Sequence, residues 1–251
     1  MDIMFLCCIL YQLYMSLQNS MDVQKIQNIF SIGFRCNTDQ FLNTYLNIRK
    51  YSSPFSYMVI DIQTALHFIK NDFNTFTDMN FILPGKTSYK FNKHKWICNN
   101  IHKISNITND YVDILDTNNI CIWNHHNLSD ENTLNSINRR AEHLLYCINK
   151  NPEETLLFYI EKIQKYGEKE DYFDKSVLDE VNCKFLILIP ILNFNSDPRI
   201  HYSDKNVKII YFNSNIELWA TDINSHIEEW DKLKSIINKL YDFDITNRIN
   251  I

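Results

Sequence analysis

Cys36 follows the apolar run Ile29-Phe30-Ser31-Ile32-Gly33 and precedes a helical pattern that opens near Thr38. A helix start presents unpaired N–H groups and partial positive charge, which stabilise a thiolate and lower its pKa. Gly33 removes a side chain where the backbone must turn sharply and approach a ligand closely. A cysteine so placed is a candidate nucleophile if a histidine can reach it. His125 and His126 are the candidates, because they follow the apolar run Ile120-Cys121-Ile122-Trp123 with only Asn124 between. Loops at the ends of strands are where open α/β sheets build their sites. The other readings are a buried structural cysteine and solvated loop histidines. Adjacent histidines also raise metal binding, but no third ligand at helical or hairpin spacing accompanies them.

The elements that must position these groups can be read from periodicity. The pattern predicts a strand at 29–33 and a helix over 38–48, broken by Tyr51-Ser52-Ser53-Pro54. Val59 to Lys70 reads as an amphipathic helix, with Ile62, Leu66 and Ile69 at helical spacing. Short strands are expected at 87–92 and 110–115, then a strand at 119–123 and a helix from Glu131 to Asn149. Further on, strands at 156–160, 184–189 and 207–212 flank a helix from Asp171 to Val181, and a last helix covers Ser225 to Tyr241. Apolar strands alternating with helices imply a mostly parallel central sheet covered on both faces. The expected fold is therefore a single α/β domain, a Rossmann-like sandwich, over residues 21–251. On that plan Cys36 and the histidine pair converge at one sheet edge.

Composition sets the outer limits. At 251 residues, 45% of them hydrophobic, the chain can bury a substantial core. A formal charge of -5 gives no basic surface for nucleic acid. With only three glycines, no phosphate-binding G-x-G-x-x-G or Walker loop exists. The seven cysteines are scattered and lack C-x-x-C spacing, which fits a reducing, cytoplasmic setting better than a disulfide framework or zinc site. The abundance of Asn, Ile and Lys is that of an AT-rich genome, such as that of a large DNA virus. The apolar stretch from Ile3 to Leu17 is shorter than the roughly 20 residues that span a bilayer. Residues 1–20 are read as an extension outside the folded core, with a weak membrane anchor as the alternative.

Several segments together resemble a poorly characterised family of bacteria and large DNA viruses labelled papain-like cysteine peptidases. Ser31-Ile32-Gly33-Phe34-Arg35-Cys36 resembles its S-L-G-x-x-C opening, and Ser53-Pro54-Phe55-Ser56-Tyr57 stands where the family typically has Pro-Phe-Asp-Trp. Asn71-Asp72-Phe73, then His126-Asn127-Leu128 in place of His-Asp-Phe, continue the likeness. Arg139-Arg140 matches an arginine pair, and Trp219, Asp222 and Trp230 look like a final Trp-x-x-Asp…Trp stretch. The resemblance implies that Cys36 is the nucleophile and His126 its general base, with His125 able to exchange roles. It implies Asp222 as the orienting group, with Asn127 behind it, and Gly33, Arg35 and Arg140 around a peptide or small acyl substrate. No cofactor is called for. Ser56 and Asn127 stand where the family has carboxylates, which bears on whether the site is active.

Two other readings remain open. One is a Rossmann-like transferase or esterase in which Cys36 is structural and Arg35, Arg139 and Arg140 hold an anionic group. The other is a catalytically inactive viral interaction module.

Overall fold

A computed structural model of the chain describes residues 23–33, 36–48, 51–56, 58–74, 76–77, 82–84, 96–98, 121–123, 128, 130–165, 167, 173–213 and 227–244. In chain order the elements begin with β1 (Gln24–Ile26), β2 (Asn28–Ser31), α1 (Cys36–Gln40), β3 (Met58–Ile60) and α2 (Ile62–Lys70). They continue with β4 (Ile82–Pro84), β5 (Trp96–Cys98), β6 (Cys121–Trp123), α3 (Glu131–Lys150), β7 (Thr155–Ile160) and β8 (Gln164–Lys165). The last are β9 (Lys184–Leu192), β10 (Arg199–Ser203), β11 (Val207–Asn213), α4 (Ile227–Leu240) and β12 (Tyr241–Phe243).

The main sheet has the order β10-β11-β9-β7-β2, with β8 continuing beside β9. All its pairings are parallel except that of β10 with β11. This is the mostly parallel sheet expected from the strands at 29–33, 156–160 and 184–189. Every residue of β7 is buried, because its two faces feed two cores. Leu157 and Tyr159 join Ile137 and Leu144 of α3, whereas Leu156, Phe158 and Ile160 join Leu233 and Ile237 of α4. The period of two along a strand produces that division. The chain is thus mixed α/β, with helices on both faces of one sheet.

Two expectations need correction. Val59 and Ile60 do not start a helix. Met58, Val59 and Ile60 pair with Trp123, Ile122 and Cys121 in a separate antiparallel sheet of order β3-β6-β5-β4. The helix starts only at Ile62, where Asp61 caps it by accepting from the Thr64 amide (2.9 Å) and hydroxyl (2.8 Å). The strand ahead of His125 is consequently antiparallel and outside the main sheet, so a shared parallel edge does not bring that pair to Cys36. The expected helix at 171–181 is a 3-10 segment over Lys175–Glu180, capped by Asp174. The strands expected at 87–92 and 110–115, and the segment 1–20, lie outside the described residues.

The direction of α3 decides where its start lies. His143 packs edge-on against Phe30, in the middle of β2, with ring centroids 5.7 Å apart. Further along the helix, the Cys147 and Asn151 carbonyls accept from the Thr155 hydroxyl at the first residue of β7. Since Phe30 is level with Leu157, advancing along α3 means retreating along β7. The helix therefore runs against the strands, and its start lies toward their carboxyl ends.

Phe158 is fully buried and stacks on Phe41 with ring centroids 5.6 Å apart and planes 4° apart. Phe158→Ala is expected to cost about 3–5 kcal/mol in urea unfolding, against a much smaller loss for the exposed Tyr146→Ala.

Candidate active site

Cys36 is the first residue of α1, which continues as a π-helical segment over Phe41–Tyr45. It stands five positions beyond the last residue of β2, after which the Ile32 amide donates to the Phe158 carbonyl at 2.9 Å. A Cβ on Gly33 would lie 1.7 Å from Oγ1 of Thr38. The glycine is required for space: it lets the first turn of α1 fold back onto the strand end. Among the described residues, the glycine in the left-handed region is Gly167, with φ +82°.

One turn beyond Cys36, Asp39 is only 2% exposed. Its Oδ1 accepts from the Ser56 hydroxyl at 2.9 Å. The same Ser56 oxygen accepts from the Ser53 amide at 2.9 Å, and the Ser53 hydroxyl accepts from the Phe55 amide at 3.2 Å. Ser53 and Ser56 are both fully buried. A buried carboxylate is tolerable only with such donors. This network ties the turn ahead of β3 to the helix that starts at Cys36.

The far end of that helical segment is held by aromatics. Trp230 packs on Phe41 (4.8 Å between centroids), Tyr45 (5.8 Å) and Phe212 (5.9 Å). The Tyr45 hydroxyl donates to Asp231 at 2.6 Å. Trp230 thus serves packing around the segment.

The remaining sequence candidates divide plainly. His125, His126, Asn127, Arg35, Asp222 and Trp219 lie outside the described residues. Their neighbours do not: Trp123 pairs with Met58, and Leu128 is fully buried in the core shared by both sheets. Arg140 is half-buried and Arg139 exposed on α3.

Sequence reasoning missed a second group at the carboxyl end of β7. Glu161 follows that strand, and its Oε1 accepts from the Lys162 amide at 2.7 Å. Desolvation pushes its carboxyl up to about 7, aided by the charge of Asp61 and opposed by Lys162 and the Tyr159 hydroxyl. Tyr159 is itself fully buried, and desolvation raises its pKa far above the usual phenol value, with help from Glu161 and Asp61. Ile60 and Ile62 share one apolar cluster with Tyr159, so the end of β3 and the start of α2 belong to the same core as the carboxyl end of β7.

A different cysteine–histidine pair is in contact. Cys147 Sγ lies 3.8 Å from His143 Nε2, four residues apart on α3. Burial pushes the Cys147 thiol up to about 11 and pulls the imidazole down, so both are neutral. Cys147 also stands in the last turn of its helix, where the dipole opposes a thiolate. The pair is packing, not a nucleophile and base. Burial likewise raises the pKa of Cys183.

Among the described residues no group of three or more His, Cys, Asp or Glu could hold a metal ion. Nor is any described helix long and apolar enough to cross a membrane. Residues 27–185 match the family described as putative papain-like cysteine peptidase (DUF1796), and the chain belongs to that family. No curated protein and no solved structure matches it.

Two outcomes follow from the local environments. In the native protein Cys147 and Cys183 should resist iodoacetamide at pH 7.5 and react only on unfolding, read by peptide mass. For Glu161, a raised folded-state pKa means the folded state keeps a proton that the unfolded chain releases. Its contribution is complete below the ordinary glutamate pKa and is lost as pH rises through about 7. Glu161→Gln should therefore flatten the decline in melting temperature between pH 5 and pH 8, roughly the window set by those two values. An unchanged slope would remove Glu161 as its source.

Proposed function

We propose that the chain is a thiol hydrolase acting on peptide or small acyl substrates, with Cys36 as nucleophile and His126 as general base. One observation carries this reading. β6 ends at Trp123 opposite Met58, two residues from Ser56, and Ser56 is bonded to Asp39 one turn from Cys36. This link between the β3–β6 pair and the helix that starts at Cys36 supports a meeting of the thiol with the histidines that follow β6 in sequence. Leu128 anchors the other side, and two residues of chain keep the His126 Cα within about 7 Å of the Leu128 Cα. The course of α3 adds that its start lies toward the carboxyl ends of β2 and β7. Family membership supplies the peptidase vocabulary, and the Cys-before-His order agrees with it.

In this reading His126 takes the Cys36 proton, and the thiolate sulfur attacks the acyl carbon. Backbone N–H groups at the start of α1 stabilise the oxyanion. As the bond to the leaving group breaks, His126 returns the proton to it and a thioester remains. His126 then deprotonates a water, which attacks the thioester, and the sulfur leaves as the restored thiol. Asp222 orients the imidazole, with Asn127 as the nearer substitute, and His125 can exchange with His126. Gly33, Arg35 and Arg140 line the substrate side. No metal or other cofactor enters the chemistry. The scattered thiols fit a reducing compartment such as the cytoplasm. The Rossmann-like transferase and the inactive viral module become the outcomes of a failed test.

That test is alkylation of Cys36 by iodoacetamide across pH, followed by peptide mass. Cys36 should reach half its maximal rate below pH 7, where a free thiol needs about 8.5. His126→Ala should move the midpoint up by about one unit or more. Cys36→Ser should lower turnover of a cleavable peptide by at least about a thousandfold. An ordinary thiol midpoint in the wild-type protein would leave Cys36 structural and the hydrolase reading without support.

A further inference from the structure

We propose that Asp39 is a positioning residue of this site: through Ser56 it fixes the helix that starts at Cys36 against the strand pair leading to His125 and His126. The inference rests on the hydrolase reading above and adds a residue to it.

The geometry is directional. The Ser56 oxygen accepts from the Ser53 amide at 2.9 Å, so its single proton is committed elsewhere, to Asp39 Oδ1 at 2.9 Å. The Ser56 amide also donates to the Ser53 carbonyl at 3.1 Å, which closes the turn. A hydroxyl held at both its acceptor and donor positions has little freedom to reorient. Both partners are buried, Asp39 at 2% and Ser56 at 0% exposure, so water cannot substitute for the bond.

The placement gives the bond its consequence. Asp39 is three residues from Cys36, almost one helical turn. Ser56 is two residues from Met58, which faces Trp123, the last residue of β6. One buried bond thereby joins the helix that starts at Cys36 to the turn ahead of β3, the strand that pairs with β6. A buried carboxyl is a costly way to fill a core position that an apolar side chain could occupy. Fixing the separation of two reacting groups explains its retention, because small misplacements cost large factors in rate.

The test measures the coupling between Cys36 and His126, defined as the shift in the alkylation midpoint of Cys36 caused by His126→Ala. It uses the full chain, with iodoacetamide as the probe and melting temperature recorded in parallel. Ser56→Ala should shrink the coupling to less than about half its wild-type size. Asp39→Ala should do the same without stranding a buried carboxylate, and carries the test if Ser56→Ala does not fold. Asp39→Asn, whose amide oxygen still accepts from Ser56, should keep most of the coupling. A purely structural role would lower the melting temperature in the alanine variants and leave the coupling at its wild-type size, which would overturn the proposal. Equal loss in Asp39→Asn and Asp39→Ala would overturn it too, since charge and not the bond would then be acting. If the wild-type protein shows no coupling, the hydrolase reading fails first and this inference falls with it.

Discussion

Burial of β7 on both faces constrains where every other element can stand. Its six residues have no solvent-facing side, so each must find apolar partners above or below. Below are α4 and the π-helical segment after α1, closed by Phe158 against Phe41. Above are α3 and the antiparallel sheet, closed by Leu157 and Tyr159 against Met58, Val59 and Ile60 in one apolar cluster. The strand beside it, β2, ends level with Phe158, two residues before β7 does, and there the chain must leave the sheet. The turn into α1 is possible only because Gly33 yields its side-chain space to Thr38. The position of Cys36 is thus a consequence of core packing several residues away.

The polar groups at this end of the sheet are handled in two ways. Asp39 keeps a carboxylate in the interior by giving it a hydroxyl donor. A second carboxylate in place of Ser56 would face it at hydrogen-bond distance, where two like charges cannot both ionise cheaply. Serine at 56, where the resembling family typically has Asp, is therefore compatible with Asp39. Glu161 holds its proton up to about pH 7, chiefly because it is desolvated.

What the sequence disclosed follows from how local each signal is. β7, β9 and β11 announce themselves as unbroken apolar runs, and α3 as twenty residues of helical period behind an Asp cap. β3 was hidden because Val59 and Ile60 also fit the helical spacing of Ile62 and Leu66, and only pairing with β6 decides between them. β10 escaped notice because it is an edge strand with alternating exposure and no apolar run. For the site, the thiol at a helix start was legible from residues 29–36. The bond from Asp39 to Ser56 was not, since seventeen positions of chain separate its partners and neither residue type is distinctive. Nor was the acidity of Glu161, which depends on an element one hundred residues earlier.

The two cysteine–histidine combinations in this chain show why residue type alone does not define a nucleophile. Cys147 and His143 are in contact, yet each is driven to its neutral form by burial, and the thiol sits at the wrong end of a helix. Cys36 stands at the opposite kind of position, the first residue of a helical segment that follows a strand end. There the backbone favours negative charge. His143, by contrast, meets a thiol whose ionisation burial opposes. The difference lies in the helix end at which each cysteine stands. The position of Cys36 is accordingly set by where β2 stops, and the buried bond between Asp39 and Ser56 ties the helix that starts there to the turn ahead of β3.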